Sequence, residues 1–320
     1  MVKMSKAIPQ NYLRIQDEDN KLYGCLDDSN LIPHTDKISQ NTFEQLILSA
    51  IEKANKKSSR EILAISLDAT TYEIEQIYDK KGKALFTYFK KYCGDPAATA
   101  YQILNKNCRE VGIEQFRNRT LQKERMNSGW RYQYLVIDCA IHSRRFKSIS
   151  DLGAVEADFN VIIPFKDHAK EPLNLYVSVK NRSNTMGGQD WPKAIQALEI
   201  VARTDKNRTG PYCCIFGIAM EKGNRYIKYE KKTNTAYSVN TEVWLSDFFW
   251  PFFTNYSYKE VMTAVLNVLM SKYSLSPLAT QLNIPERLLD SFQQCCTQAG
   301  LVNKSGYFHD PHKLVSFFCN

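Results

Sequence analysis

Two short apolar segments constrain this chain more than anything else in it: VEADFNVIIPF (155–165) and LNLYVSVKNR (173–182). Both are rich in Val, Ile, Leu, Phe and Tyr, which suit a pleated, half-buried surface. Pro164 and the polar run KDHAKEP separate them. Each carries charge inside an otherwise apolar run. Residues i and i+2 of a strand point to the same side. Glu156 and Asp158 are therefore expected on one face of the first strand, and Ser178 and Lys180 on one face of the second. Side by side, the strands would gather two carboxylates, a hydroxyl and an ammonium. Unpaired charge in such a setting is costly, which marks the cluster as a candidate site.

The surrounding pattern extends this into a core. WRYQYLVIDCAIHSRRF (130–146) reads as a helix, with Tyr134, Leu135, Cys139 and Ile141 apolar, and a turn at Asp151–Gly153 leads into the first strand. After the second strand, the loop SNTMGGQD opens WPKAIQALEIVAR, a helix with Asp190 as its N-cap and Pro192 in its first turn. YCCIFGIAM is then a buried strand, followed by NRYIKYE and NTEVWLS. Helix, strand, strand, helix, strand, strand implies an α/β (α+β) fold, a mixed sheet flanked by helices, over residues 129–255. Residues 1–128 read as a helical N-terminal region in which Phe43, Leu46, Ile47 and Ile51 share a face. Residues 256–320 give helix, helix-turn-helix and the short hairpin LVNKSGYF, a winged-helix-like arrangement. Its expected core is Leu278, Leu282, Ile284, Leu288 and Phe292. SDFFWPFFTNY is expected to pack between the core and this module, and Trp191, Trp244 and Trp250 to be core or interface residues.

No apolar run approaches the ~20 residues of a membrane span, and no signal-peptide pattern is visible, so a cytoplasmic protein is expected. The nine cysteines include no C-x-x-C pair and lie mostly in apolar runs, as reduced core thiols would. Net charge is +8. Between Lys106 and Lys147 ten basic residues face four acidic ones. A basic stretch beside a candidate site suggests a phosphate backbone as partner.

Carboxylates that hold a hard divalent cation, with a lysine beside them, are what phosphodiester hydrolysis requires. Asp158 in AVEADFNVII, followed 22 positions later by Lys180 in LNLYVSVKN, resembles the D…(D/E)-x-K motif of the PD-(D/E)XK nuclease superfamily. The strand-strand-helix-strand order over about residues 129–250 is similar too. The resemblance implies a restriction-endonuclease-like core, Mg²⁺ as cofactor, and a type II restriction endonuclease cutting double-stranded DNA. It implies catalytic roles for Asp158 and Lys180. Ala157 stands at the motif's proline, and Ser178 at its second acidic position. One restriction-enzyme branch also has serine there and takes the missing carboxylate from the following helix. In this chain that helix offers Glu199, with Asp190 as the other candidate. The metal ligands expected on this basis are Asp158, Glu199 and Glu156.

Around this centre, Asn181 and Arg182 are candidate phosphate contacts, and Gln189 a base contact or helix cap. Arg131 and Gln133 precede the first strand, and Arg144 and Arg145 belong to the basic segment. Arg287 and Lys304 are the basic residues of the C-terminal module. His142 and His168 have no telling neighbours. A homodimer suits symmetric double-strand cutting, with a DNA methyltransferase in the same cell as companion. The rival readings are a non-catalytic DNA-binding regulator with a nuclease-like core, a repair or structure-specific nuclease of the same fold, and a protein–protein adaptor.

Overall fold

The computed structural model describes residues 30–59, 70–92, 95–153, 156–168, 171–183, 191–230, 232–272 and 284–319. The chain divides into two compact units, residues 1–55 with 127–270, and residues 56–126 with 271–320. This differs from the three consecutive regions expected, because helices distant in sequence complete one another's cores.

The first unit is built on a six-stranded mixed sheet in the order β1-β2-β3-β4-β6-β5. Its strands are β1 (Ser148–Asp151), β2 (Phe159–Ile163), β3 (Leu173–Lys180), β4 (Tyr212–Ile218), β5 (Arg225–Tyr226) and β6 (Thr241–Trp244). β1, β2 and β3 form an antiparallel meander. β4 lies parallel to β3, and β6 parallel to β4. A parallel neighbour needs a crossover, which α5 (Trp191–Thr204) supplies between β3 and β4. β4 is buried at every position and β3 at every position but the last, as expected of central strands covered on both faces. The strand β1 was not anticipated: SISD is polar and mostly exposed at the edge of the sheet.

One face packs Tyr176, Cys214, Phe216, Ile218 and Val243 against Ile195, Leu198 and Ala202 of α5. The other is covered by aromatic residues of α6 (Ser246–Thr254). Phe253 meets Phe159 edge-on at 5.5 Å, and Trp250 donates from Nε1 to Ala219 O at 2.9 Å. Gly217 permits this approach, since a Cβ there would lie 2.3 Å from Phe249 Cε2. The SDFFWPFFTNY segment thus packs on the sheet unit itself. Also here are α1 (Gln40–Ser59), up to Asn55, α7 (Tyr258–Lys272), up to Met270, and the second half of α4 (Cys108–Ser143). Phe43, Ile47, Ala50, Ile51 and Ala54 form the buried stripe of α1, with Leu46 half-buried at its margin.

The second unit contains α2 (Thr71–Tyr92), α3 (Pro96–Ile103), the first half of α4, α8 (Glu286–Gln298), a hairpin closed by Val302 and Phe308, and α9 (Pro311–Cys319). Its core joins Leu85 and Phe89 to Leu288, Leu289 and Phe292. A 13-residue helix and a short hairpin bury too little apolar surface to fold alone, and α2 and α4 supply the rest. α2 and α8 cross closely at Gly82, where a Cβ would fall 2.5 Å from Leu288 O. Leu278 and Leu282 lie outside the described residues, while Leu288 and Phe292 are buried as expected and Ile284 partly so. Cys108, Cys139, Cys213, Cys214 and Cys296 are free and buried, Cys295 is free and half-buried, and burial raises their thiol pKa values.

Candidate functional site

The candidate centre forms where β2 begins and β3 ends. Asp158 is half-buried and precedes β2 by one residue. Its N–H donates to Val177 O at 2.8 Å, and its carbonyl accepts from Leu152 N at 2.9 Å. Val177 is also the residue paired with Phe159. Strand alternation therefore stops at this point, and counting residues no longer assigns Asp158 a face. Its carboxylate is located by a contact instead: Oδ2 accepts the Val179 N–H at 2.6 Å. A side chain thus takes the place of a strand carbonyl, immediately before Lys180.

Lys180 ends β3 opposite Ile218, and its carbonyl accepts from Ala219 N at 2.9 Å. The side chain is half-buried, yet among the described residues its ammonium has no hydrogen-bond or ion-pair partner. It forms no ion pair with Asp158. Ser178 lies on the same face of β3 two residues earlier, opposite Phe216, and is buried. Tyr134 of α4 is within electrostatic reach: burial raises its phenol pKa, and the charges of Asp151 and Asp158 add to the effect. Gln133, beside it, is buried.

The structure does not bring the other expected acids here. Glu156 is exposed in a bend outside β2, so no strand register sets it beside Asp158. Glu199 is buried in α5 with both carboxylate oxygens engaged. Oε1 accepts from Ser238 Oγ and, at 2.7 Å, from Thr241 Oγ1, while Oε2 accepts from Arg203 Nη2 at 3.1 Å. Thr241 pairs with Cys214, and Cys214 with Tyr176, four residues before Lys180. At ~3.3 Å per residue that is about 13 Å along the strand. α5 runs back along the sheet from the Lys180 end, so a residue two turns into it is carried away from the centre. Asp190 and Gln189 lie outside the described residues.

The expected basic contacts also separate. Arg145 is buried, donating from Nη1 to Phe252 O at 3.0 Å and lying 3.0 Å from His34 Nε2, with its guanidinium over the Phe252 ring. It is a packing residue, not a DNA contact. Arg144 is exposed, in a left-handed conformation at the end of α4, and Arg131 is half-buried on α4. Arg182 is exposed directly after Asn181. In the second unit, Arg287 is engaged by both carboxylate oxygens of Asp79, at 2.9 Å each. Lys304 is exposed in the hairpin turn. His142 and His168 are exposed. Trp244 and Trp250 are fully buried, and Trp191 is half-buried edge-on to Phe216.

Two groups that sequence reasoning missed support the end of β3. Ser128 on α4 accepts a 2.6 Å hydrogen bond from Asn181 Nδ2. Glu221 Oε2 accepts from Ser183 N at 2.9 Å. Nothing in their spacing from Lys180 marks them, because both come from other elements.

Among the described residues no group of three or more His, Cys, Asp and Glu side chains could hold a metal ion together. Asp158, Glu199 and Glu156 therefore do not assemble into the three-carboxylate site expected of them. Asp158 fits a looser one, since Mg²⁺ keeps several waters and is commonly held by one or two carboxylates plus substrate phosphates. No helix among the described residues is long and apolar enough to cross a membrane. No protein-family model and no curated sequence matches the chain. The class of protein is mixed α/β, with a six-stranded sheet and helices on both faces.

Proposed function

We propose that this chain is a Mg²⁺-dependent endonuclease that hydrolyses double-stranded DNA at a specific sequence, in the manner of a type II restriction enzyme. One observation carries the reading. A half-buried lysine without a partner among the described residues sits one residue after the amide that fixes an aspartate carboxylate. An ammonium left unneutralised in such a place suits a ligand that brings its own negative charge. Further support comes from the order α4, β1-β2-β3 meander, α5, parallel β4, which is consistent with the arrangement the motif resemblance implies.

In this reading Asp158 would hold the cation through its carboxylate. When bound, the metal would offset charge on the scissile phosphate and lower the pKa of an attacking water. Lys180 orients that water and donates to a phosphate oxygen, as a compact point charge with three donors can. The β3 backbone keeps Asp158 and Lys180 in fixed relation, so little reorganisation is needed on binding. Ser178 is too buried to be a ligand and shapes the floor of the site.

A DNA-binding regulator without catalysis is the second reading. It is favoured by Ser178 in place of an acid and by the engagement of Glu199 within the fold. Plasmid incubated with the protein and Mg²⁺ separates the two. Discrete fragments are expected from the wild-type chain and none from Asp158→Ala or Lys180→Ala, with binding in Ca²⁺ retained. Normal cutting by Lys180→Ala removes the nuclease site from this position. Intact plasmid with tight, salt-dependent binding supports the regulator.

A further inference from the structure

Asn181 follows the candidate catalytic lysine and is polar, half-buried and next to an exposed arginine. On sequence it is a phosphate contact. Its surroundings point elsewhere. Nδ2 donates to Ser128 Oγ at 2.6 Å, reaching from the end of β3 to the helix α4. Its own carbonyl accepts from Met220 N at 2.9 Å, which extends the β3–β4 pairing beyond the last strand residue. Gly129, next to Ser128, leaves room for this side chain: even a Cβ there would stand 3.7 Å from Asn181 Oδ1.

Lys180 is thereby held on every side of its backbone. Val179 N is bound by the Asp158 carboxylate, Lys180 O by Ala219 N, Asn181 O by Met220 N, and the Asn181 side chain by α4. Beyond it, Ser183 N is held by Glu221, whose own N–H donates to Ser246 Oγ at 2.9 Å. Three of these bonds belong to the sheet or its edge and would form around any residue at position 181. The fourth depends on the side chain at position 181 itself, ties the strand end to a different layer, and is absent if either partner loses its polar group.

We propose that Asn181 and Ser128 are positioning residues for Lys180, fastening the strand end to α4, and that Asn181 does not contact DNA. This rests on the nuclease reading above, because the group positioned is the one that reading makes catalytic. A lysine that drifts by even 1 Å from its reacting partner loses rate while substrate binding persists, and such displacements can cost up to about a hundredfold.

The test compares full-length wild-type, Asn181→Ala, Ser128→Ala and Ser128→Thr proteins on a cleavable DNA in Mg²⁺. The same DNA is titrated in Ca²⁺ for affinity. The expected result is a fall in kcat of roughly tenfold or more for both alanine variants, with KM and Ca²⁺ affinity within about twofold of wild type. Ser128→Thr keeps the hydroxyl acceptor and is expected to recover most of kcat. A tenfold loss of affinity in Asn181→Ala with kcat intact makes it a DNA contact and overturns the proposal. So does an unchanged kcat in Ser128→Ala, or a Ser128→Thr variant no better than Ser128→Ala. A wild-type chain that cuts no DNA overturns the nuclease reading itself, and no variant comparison can be mistaken for that result.

Discussion

Glu242→Gln offers a test in which two physical effects have opposite signs. Glu242 lies in β6 and is wholly buried, as is Arg225 on the neighbouring β5. Trp244 Nε1 donates to Glu242 Oε2 at 2.7 Å, while Oε1 has no hydrogen-bond partner among the described residues. Burial pushes the carboxyl from 4.5 up to about 7, against the opposing pull of Arg225 and the Trp244 bond. The folded protein therefore binds the proton more tightly than the unfolded chain does. Stability contributed by the neutral acid is full below pH 4.5 and is lost as pH rises through about 7. Each pH unit in that interval carries ~1.4 kcal/mol, so the whole loss is about 3 kcal/mol. Glutamine keeps an acceptor for Trp244 and cannot ionise. Denaturant unfolding should find Glu242→Gln close to wild type near pH 4.5 and more stable by on the order of 2–3 kcal/mol at pH 8. The competing effect is loss of a counter-charge for buried Arg225, for which breaking a buried pair costs ~3–5 kcal/mol. A variant less stable than wild type at pH 8 refutes the reasoning and makes the attraction between the Glu242 and Arg225 charges dominant.

Glu199→Gln bears on the metal set: cleavage should persist while stability falls by about 1–3 kcal/mol, and abolished cutting in a folded variant would return Glu199 to the active centre. His34 is held down to about 4, first by burial and then by the charge of Arg145. Its neutral form stabilises the fold fully above pH 6.5, and that contribution is lost as pH falls towards 4. Because the ring is partly exposed, the loss is discounted to on the order of 2 kcal/mol. In His34→Gln the slope of stability between those pH values should shrink, and an unchanged slope counts against the assignment. Gly82→Ala gains ~1 kcal/mol of helix propensity but forces a methyl to 2.5 Å from Leu288 O. Overpacking of about 1–3 kcal/mol should win, so a stabilised variant in denaturant unfolding would mean that α2 and α8 separate easily.

Much of the sheet unit was legible because its apolar periods are strong. β3, β4 and α5 fall where LNLYVSVKNR, YCCIFGIAM and WPKAIQALEIVAR place them. β1 was not legible, since an exposed polar edge strand has no apolar alternation to announce it. The extent of α4 was also missed: Cys108–Ser143 is one helix, but its first half belongs to the helical unit, packing with α2 and α8, and its second to the sheet unit, where Tyr132 meets Trp250 of α6, so no single stripe runs through it. The helix α2 runs unbroken through Gly82, because the glycine serves a close crossing with α8.

The local sequence determined which residues could carry charge into the core: an aspartate at the head of one strand and a lysine at the end of the next. Proximity along the chain sufficed there, because an antiparallel neighbour is joined by a short connection and its register follows from the turn. The tertiary structure alone decided what each charged or polar side chain meets. Glu199 was drawn to Ser238, Thr241 and Arg203, Arg145 to His34 and Phe252, and Asn181 to Ser128. These partners lie on other elements, and a buried polar group is satisfied by whatever donor or acceptor packing sets within ~3 Å of it. Spacing in the sequence contains no such distance.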